Sequence, residues 1–222
     1  MTKRRVALLV GGTGLVGRAL LSLLLTCDQY RKVHLLVRRA APSLPSSAKL
    51  NIYPVEFAQP GNSAMPSADD VFIALGTTIK VAGSEDAFRL VDFDYVVNTA
   101  RAGLAAGARR LAVVSAMGAD AKSRVFYNRV KGEMEIAVTR LGYETVVIAQ
   151  PSLLLGDRGA LGQPPRRAEN LATRLIEPMS WIVPKGVRPI HARDVAAAMV
   201  AAVLAARPGV VRLSSGAMQG CG

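Results

Sequence analysis

Residues 6–10 form an unbroken apolar block that stops at glycines, and over residues 15–25 apolar positions recur at helical spacing. That order predicts a strand buried on both faces, a tight turn and a helix. A second apolar block at 33–37 completes a βαβ unit. After a Pro- and Ser-rich loop at 41–47, weak alternation over 50–55 and an apolar stretch over 71–75 predict a third and a fourth strand. Ser84 suits a helix N-cap, with Glu85 and Asp86 where the helix dipole favours anions; the helix runs to about residue 106 and Gly107 stops it. A fifth strand at 111–115 precedes a helix over 123–141, where Val130, Met134, Ala137, Val138 and Leu141 recur at helical spacing before Gly142. A sixth strand follows at 145–149. Residues 151–189 are irregular and rich in Pro, Gly and Arg, with one short amphipathic stretch at 169–181, and are expected to form a substrate-side insertion. A helix over 194–206 and a strand over 210–213 close the pattern. Alternation of this kind predicts an α/β, doubly wound parallel sheet, a Rossmann fold, in which residues 1–222 make a single domain.

Size and charge narrow the picture without deciding it. A chain of 222 residues, 50% hydrophobic and 20% charged, can bury one sizeable core, which excludes disordered and fibrous classes. A net charge of +12 invites a nucleic-acid reading. The basic residues are scattered in short clusters such as Lys3-Arg4-Arg5 and Arg109-Arg110, with few interleaved aromatics, so no specific nucleic-acid partner is expected. Cys27 and Cys221 fit no metal spacing and predict free thiols in a reducing compartment, from which cytoplasm follows as the expectation. The basic start and the apolar run after it resemble a signal peptide, but glycines and Arg18 interrupt the run, and no segment is long enough to span a bilayer. No membrane insertion is expected.

The strand-to-helix turn Gly11-Gly12-Thr13-Gly14-Leu15-Val16-Gly17 carries glycines at its first, fourth and seventh positions. A dinucleotide diphosphate needs such a turn: sharp bending, no Cβ where the phosphates approach, and free N–H groups at a helix N-terminus. NAD-selective sites usually place an acidic residue at the end of the second strand. Between Asp28 and Glu56 this chain has none, and its second strand ends in Arg38-Arg39, whose guanidinium groups suit a 2′-phosphate. The expected cofactor is therefore NADP(H).

Tyr127 and Lys131 lie four residues apart on the predicted helix, on one face, and Ser115 ends the preceding strand. A tyrosine of ordinary pKa, about 10, needs a neighbouring ammonium to exchange protons at neutral pH. Lys131 supplies one and can also hold the nicotinamide ribose, while Ser115 hydrogen-bonds the substrate oxygen. His34 and His191 lack the spacing of a metal site and read as structural; Met117, Met134 and Met199 read as core. Trp181, alone in the irregular segment, either covers a substrate pocket or packs an edge.

These residues resemble the short-chain dehydrogenase/reductase superfamily in its atypical branch. Gly76-Thr77-Thr78, Ala82-Gly83-Ser84, Val91-Asp92-Phe93-Asp94-Tyr95-Val96, Phe126-Tyr127 and Lys131-Gly132-Glu133 look like its Tat-interacting oxidoreductase group. The likeness runs from about residue 5 to 157 and returns at residues 190–196. It implies an NADPH-binding protein with the Ser, Tyr and Lys of a reductase carried by Ser115, Tyr127 and Lys131. It further implies that Leu75, Gly76 and Thr77 line the cofactor and that Pro151 and Ser152 pass near the nicotinamide. The chain departs from its relatives at Ser115-Ala116, where paired serines are common, and at Gln150-Pro151, where Arg-Pro is. The relay asparagine of typical members has no clear match, and Asp92 occupies the nearest position.

The function expected is hydride transfer to or from a small carbonyl or hydroxyl substrate, with Tyr127 as acid and base. The alternative is an NADPH-sensing regulatory binding protein with little or no turnover. The assembly stays open between a monomer and a homodimer paired through the helices at 84–106 and 123–141.

Overall fold

The computed structural model describes residues 4–38, 44–57, 65–155 and 187–222. Seven strands form one sheet: β1 (Arg5–Val10), β2 (Tyr30–Val37), β3 (Leu50–Pro54), β4 (Asp70–Ile73), β5 (Arg110–Val114), β6 (Thr145–Gln150) and, last in the chain, a strand at Gly209–Ser214. A two-stranded parallel ribbon, β7 (Leu154–Leu155) and β8 (Ile190–His191), lies apart from it, so the final strand is β9. The sheet order is β3-β2-β1-β4-β5-β6-β9, and every neighbouring pair is parallel. This is the doubly wound order expected of a Rossmann fold.

The helices are α1 (Leu15–Thr26), two short turns α2 (Ile79–Ala82) and α3 (Glu85–Arg89), α4 (Tyr95–Ala105), α5 (Phe126–Thr139), α6 (Ala192–Ala205) and α7 (Ser215–Met218). Strand side chains alternate between the two faces, and each face buries its own core. Leu9, Leu35, Phe72, Ala112 and Val147 pack with Leu20 and Leu24 of α1 and Met199 and Val203 of α6. Leu8, Leu36, Val71, Leu111 and Val146 pack with Val96 and Ala100 of α4 and Met134 and Val138 of α5. Continuous apolar runs are therefore required in the central strands, because both faces are covered.

The helix expected over 84–106 is present, with α3, a π-helical turn and α4 following one another without a break from Glu85 to Ala105, and the short α2 precedes it. Thr78 caps α2 by accepting the Val81 N–H, and Gly83 ends that turn in the left-handed region at φ +92°. Ser84 then accepts the Ala87 N–H to start α3, and Leu90–Asp94 winds as one π-helical turn before α4 begins. The strand expected to reach residue 75 ends at Ile73, and the helix over 123–141 is the shorter α5. Met134 and Met199 are in the core, but Met117 is 44% exposed, because the strand has ended and its segment turns outward. Most of the expected insertion, Trp181 included, lies outside the described residues.

Candidate active site

In a parallel sheet every C-terminal strand end lies along the same edge. Gly11, Leu75, Ser115 and Pro151 follow β1, β4, β5 and β6 and so share that edge. β1 sits where the order reverses between β2 and β4, the position at which doubly wound sheets open a crevice. Gly11 adopts φ +84°, and a Cβ there would lie 2.4 Å from the Ala74 carbonyl oxygen, so the turn and the segment after β4 are in direct contact. A Cβ on Gly17 would fall 1.9 Å from the Gly11 oxygen, which means α1 packs backbone to backbone on the turn.

This turn fits a diphosphate. Gly14 caps α1 without a side chain, and the first turn holds no acidic residue. The first-turn amides, those of Leu15, Val16 and Gly17, are beyond the reach of intrahelical carbonyls and carry the positive end of the helix dipole. Thr13 is exposed beside them, and Arg38 is exposed immediately after β2. Arg39 lies outside the described residues.

On α5, Tyr127 and Lys131 occupy one face as their spacing requires. Tyr127 is half-buried, its ring 5.3 Å from that of Phe88. Lys131 is 3% exposed, and its ammonium lies 2.8 Å from Oδ1 of the equally buried Asp92, an ion pair without the alignment of a hydrogen bond. A long contact of 3.5 Å runs from the same Nζ to the Val114 carbonyl. Burial pushes the Lys131 pKa down, but the Asp92 carboxylate, assisted by Tyr127 and Glu135, outweighs it and holds the group above its ordinary value of 10.5. The other Asp92 oxygen accepts the Thr77 N–H at 2.9 Å. Asp92 reaches both partners from the π-helical turn, a winding found often at functional sites.

Ser115 is buried, and its hydroxyl donates to Glu135 Oε1 at 2.5 Å. The same oxygen accepts from Gln150 Nε2 at 2.9 Å, and Arg212 Nε lies 3.8 Å from the other. Glu135, 5% exposed, was not singled out by its sequence. The signal was present: it continues the Tyr127, Lys131 spacing by one more turn, on a face where a carboxylate must be buried. Pro151 is buried, and its carbonyl accepts the Met117 N–H at 2.9 Å. Ser152 donates to the Arg188 carbonyl and accepts from Ser215 at 2.8 Å, so its hydroxyl ties together the chain on either side of the insertion. Leu75 and Thr77 are half-buried and Gly76 is exposed.

The two histidines lie elsewhere. His34 is buried on β2 with its ring 5.1 Å from that of Tyr53, and burial, then Lys32 and Arg31, lower its pKa from 6.5. His191 is exposed at the start of α6. No helix among the described residues is long and apolar enough to cross a membrane.

An uncapped helix mouth at the switch point of a seven-stranded parallel sheet, with Tyr and Lys on the helix after β5, defines a Rossmann protein with an edge open to a dinucleotide. Residues 11–147 match a family model described as NAD(P)H-binding, and the chain belongs to that family. It is 37% identical over 153 residues to Protein FMP52, mitochondrial, of Eremothecium gossypii, covering 68% of this chain and 67% of the relative. Against Protein fmp52, mitochondrial, of Aspergillus clavatus it is 33% identical over 216 residues, 93% of this chain and 90% of the relative. Among solved structures, a short chain dehydrogenase family protein from Francisella tularensis superposes with a TM-score of 0.67 at 14% identity, covering 97% of this chain and 99% of the other. Bordetella bronchiseptica WbmG in complex with NAD superposes with a TM-score of 0.67 at 17% identity, covering 97% and 74%. At these identities the two structures establish the fold alone.

The relatives correct one expectation. They are named mitochondrial, and the cytoplasmic assignment does not stand against them. It rested on two free thiols, which mark a reducing compartment and cannot tell the cytosol from another one.

Proposed function

We propose that the chain is an NADPH-dependent oxidoreductase that interconverts a small carbonyl compound and its alcohol. The observation that carries this reading is a buried, charged Lys131 beside Tyr127, at the same sheet edge as the open first turn of α1. The amides of Leu15, Val16 and Gly17 hold the diphosphate, and Arg38 with Arg39 grips the 2′-phosphate. Leu75, Gly76 and Thr77 line the nucleotide, Pro151 and Ser152 border the nicotinamide end, and Lys131 holds the ribose. NADPH supplies the hydride. As the carbonyl carbon gains it, Tyr127 gives its phenolic proton to the carbonyl oxygen, and the alcohol leaves with both. The Lys131 ammonium stabilises the phenolate left behind. Ser115 steadies the substrate oxygen when that oxygen competes with Glu135 for the Ser115 proton.

Replacing Tyr127 with Phe removes the transferable proton and little else. Steady-state assays with NADPH and a panel of small carbonyl compounds are expected to lose turnover by about a hundredfold or more, with NADPH affinity within about twofold of the parent. Unchanged turnover rejects Tyr127 as the acid. NADPH binding without turnover on any compound favours the sensor alternative.

The choice of dinucleotide rests on the absence of an acid between Asp28 and Glu56 and on the arginines after β2. Calorimetry is expected to give tighter binding for NADPH than for NADH. Arg38→Ala lowers NADPH affinity about tenfold and leaves NADH affinity unchanged, because only the former carries the extra phosphate. Equal losses for both refute that role.

A further inference from the structure

We propose that Asp92 is the positioning residue of this site: one carboxylate oxygen holds the Lys131 ammonium, the other holds the Thr77 amide, and a single side chain thereby sets both the lysine and the nucleotide loop. The inference rests on the proposed contact of Lys131 with the nicotinamide ribose. Its basis is geometric. Asp92 and Lys131 are 1% and 3% exposed, 2.8 Å apart, and Thr77 N–H lies 2.9 Å from the far oxygen. The carboxylate also lies beside Gly76, whose Cβ position is 3.5 Å from Asp92 Oδ1, an ordinary van der Waals distance.

The charged groups acting on Lys131 are Asp92 from the π-helical turn and Glu135 from its own helix, on which the Tyr127 phenol also faces it; Ser115 faces Glu135 from the end of β5. Glu135 is already engaged by Ser115 and Gln150, and Arg212 stands near it, so the carboxylate in direct contact with Lys131 is Asp92. Without that carboxylate the ammonium is a buried cation, and a buried lysine sheds its proton at a much lower pH than an exposed one. Lys131 then becomes a neutral amine in the range where the enzyme works, and its hold on the ribose weakens as pH rises.

Asp92→Asn tests this, because it keeps the shape and the acceptor for Thr77 N–H while deleting the charge. NADPH binding is titrated by the fluorescence of the bound dinucleotide between about pH 6.5 and about pH 9.5. The parent is expected to hold a level affinity, since Lys131 stays charged throughout; Asp92→Asn matches it at the acidic end and loses about tenfold at the alkaline end. The double variant Asp92→Asn with Lys131→Met binds weakly and with no pH slope. A side chain that only supports the fold would lower affinity equally at every pH. A level profile in Asp92→Asn, or a slope that survives in the double variant, overturns the proposal. If Asp92→Asn does not fold, Asp92→Ser is measured in its place, with the same slope expected and the same level profile fatal. A parent that binds no NADPH is a different result, and it rejects the functional reading itself.

Discussion

Gly17→Ala is expected to abolish dinucleotide binding. The new Cβ would lie 1.9 Å from the Gly11 oxygen, 2.6 Å from the Gly11 carbonyl carbon and 2.9 Å from the Gly12 Cα. All three are backbone atoms, so no rotamer change relieves the contact; the turn or α1 has to move. Moving α1 displaces the first-turn amides from the position that meets a diphosphate, and overpacking of this kind costs about 1–3 kcal/mol of stability or more. Calorimetry should find NADPH affinity reduced by about a hundredfold or beyond detection, with a lower denaturant midpoint. Gly83→Ala is the matched control. Unlike the helical Gly17, Gly83 has positive φ, +92°, but nothing lies within 4 Å of its Cβ position, so only the backbone penalty of about 1 kcal/mol applies and NADPH affinity is kept. Gly17→Ala with affinity within about threefold of the parent would mean that the turn does not carry the phosphate contact.

Lys131→Met is expected to destabilise the protein strongly. It leaves the Asp92 carboxylate buried without its cation, and breaking a buried pair from one side costs about 3–5 kcal/mol. Adding Asp92→Asn should recover most of that loss, because the pair as a whole contributes far less than the charge stranded by removing half of it. Chemical denaturation of the parent, both single variants and the double variant gives the coupling directly. Additive losses would show that the two side chains do not interact. The pH dependence has a defined sign. The folded pKa of Lys131 is raised, so the pair's stabilisation is complete below the ordinary value of 10.5 and disappears as pH climbs through the folded value above it. The parent is thus expected to lose this contribution only in strong alkali, and the double variant to lack that alkaline loss.

Much of this fold is written locally in the chain. Strands buried on both faces must be continuously apolar, which is why β1, β2, β5 and β6 can be located from composition alone. Gly107 and Gly142, at φ +100° and +97°, follow α4 and α5 at the places their positions suggested, and Ser84 caps α3. The helix expected over 84–106 is there as well, but its π-helical turn and the short α2 before it are a different matter. α2 has four residues, too few for periodicity to register, and a π-helical turn differs from an α-turn only in hydrogen-bond register, to which no residue type is specific. The same limit hid the role of Asp92, since its direction depends on that winding. Glu135 went unremarked because a carboxylate on a helix is ordinarily solvated; only the packed structure reveals that Ser115 and Gln150 enclose it. Met117 shows the opposite error, a hydrophobic residue assumed to be inside although the strand that would have buried it had ended.

The widened winding at Leu90–Asp94 has a further consequence. A π-turn holds about one residue more than an α-turn for the same rotation about the axis, so α3 and α4 keep the phase of one helix on either side of it. Deleting one residue from this stretch would leave an ordinary α-turn, with Val96, Val97 and Ala100 still turned to the sheet. The change would fall on the bulge itself, where the carboxylate would be aimed differently at its ammonium.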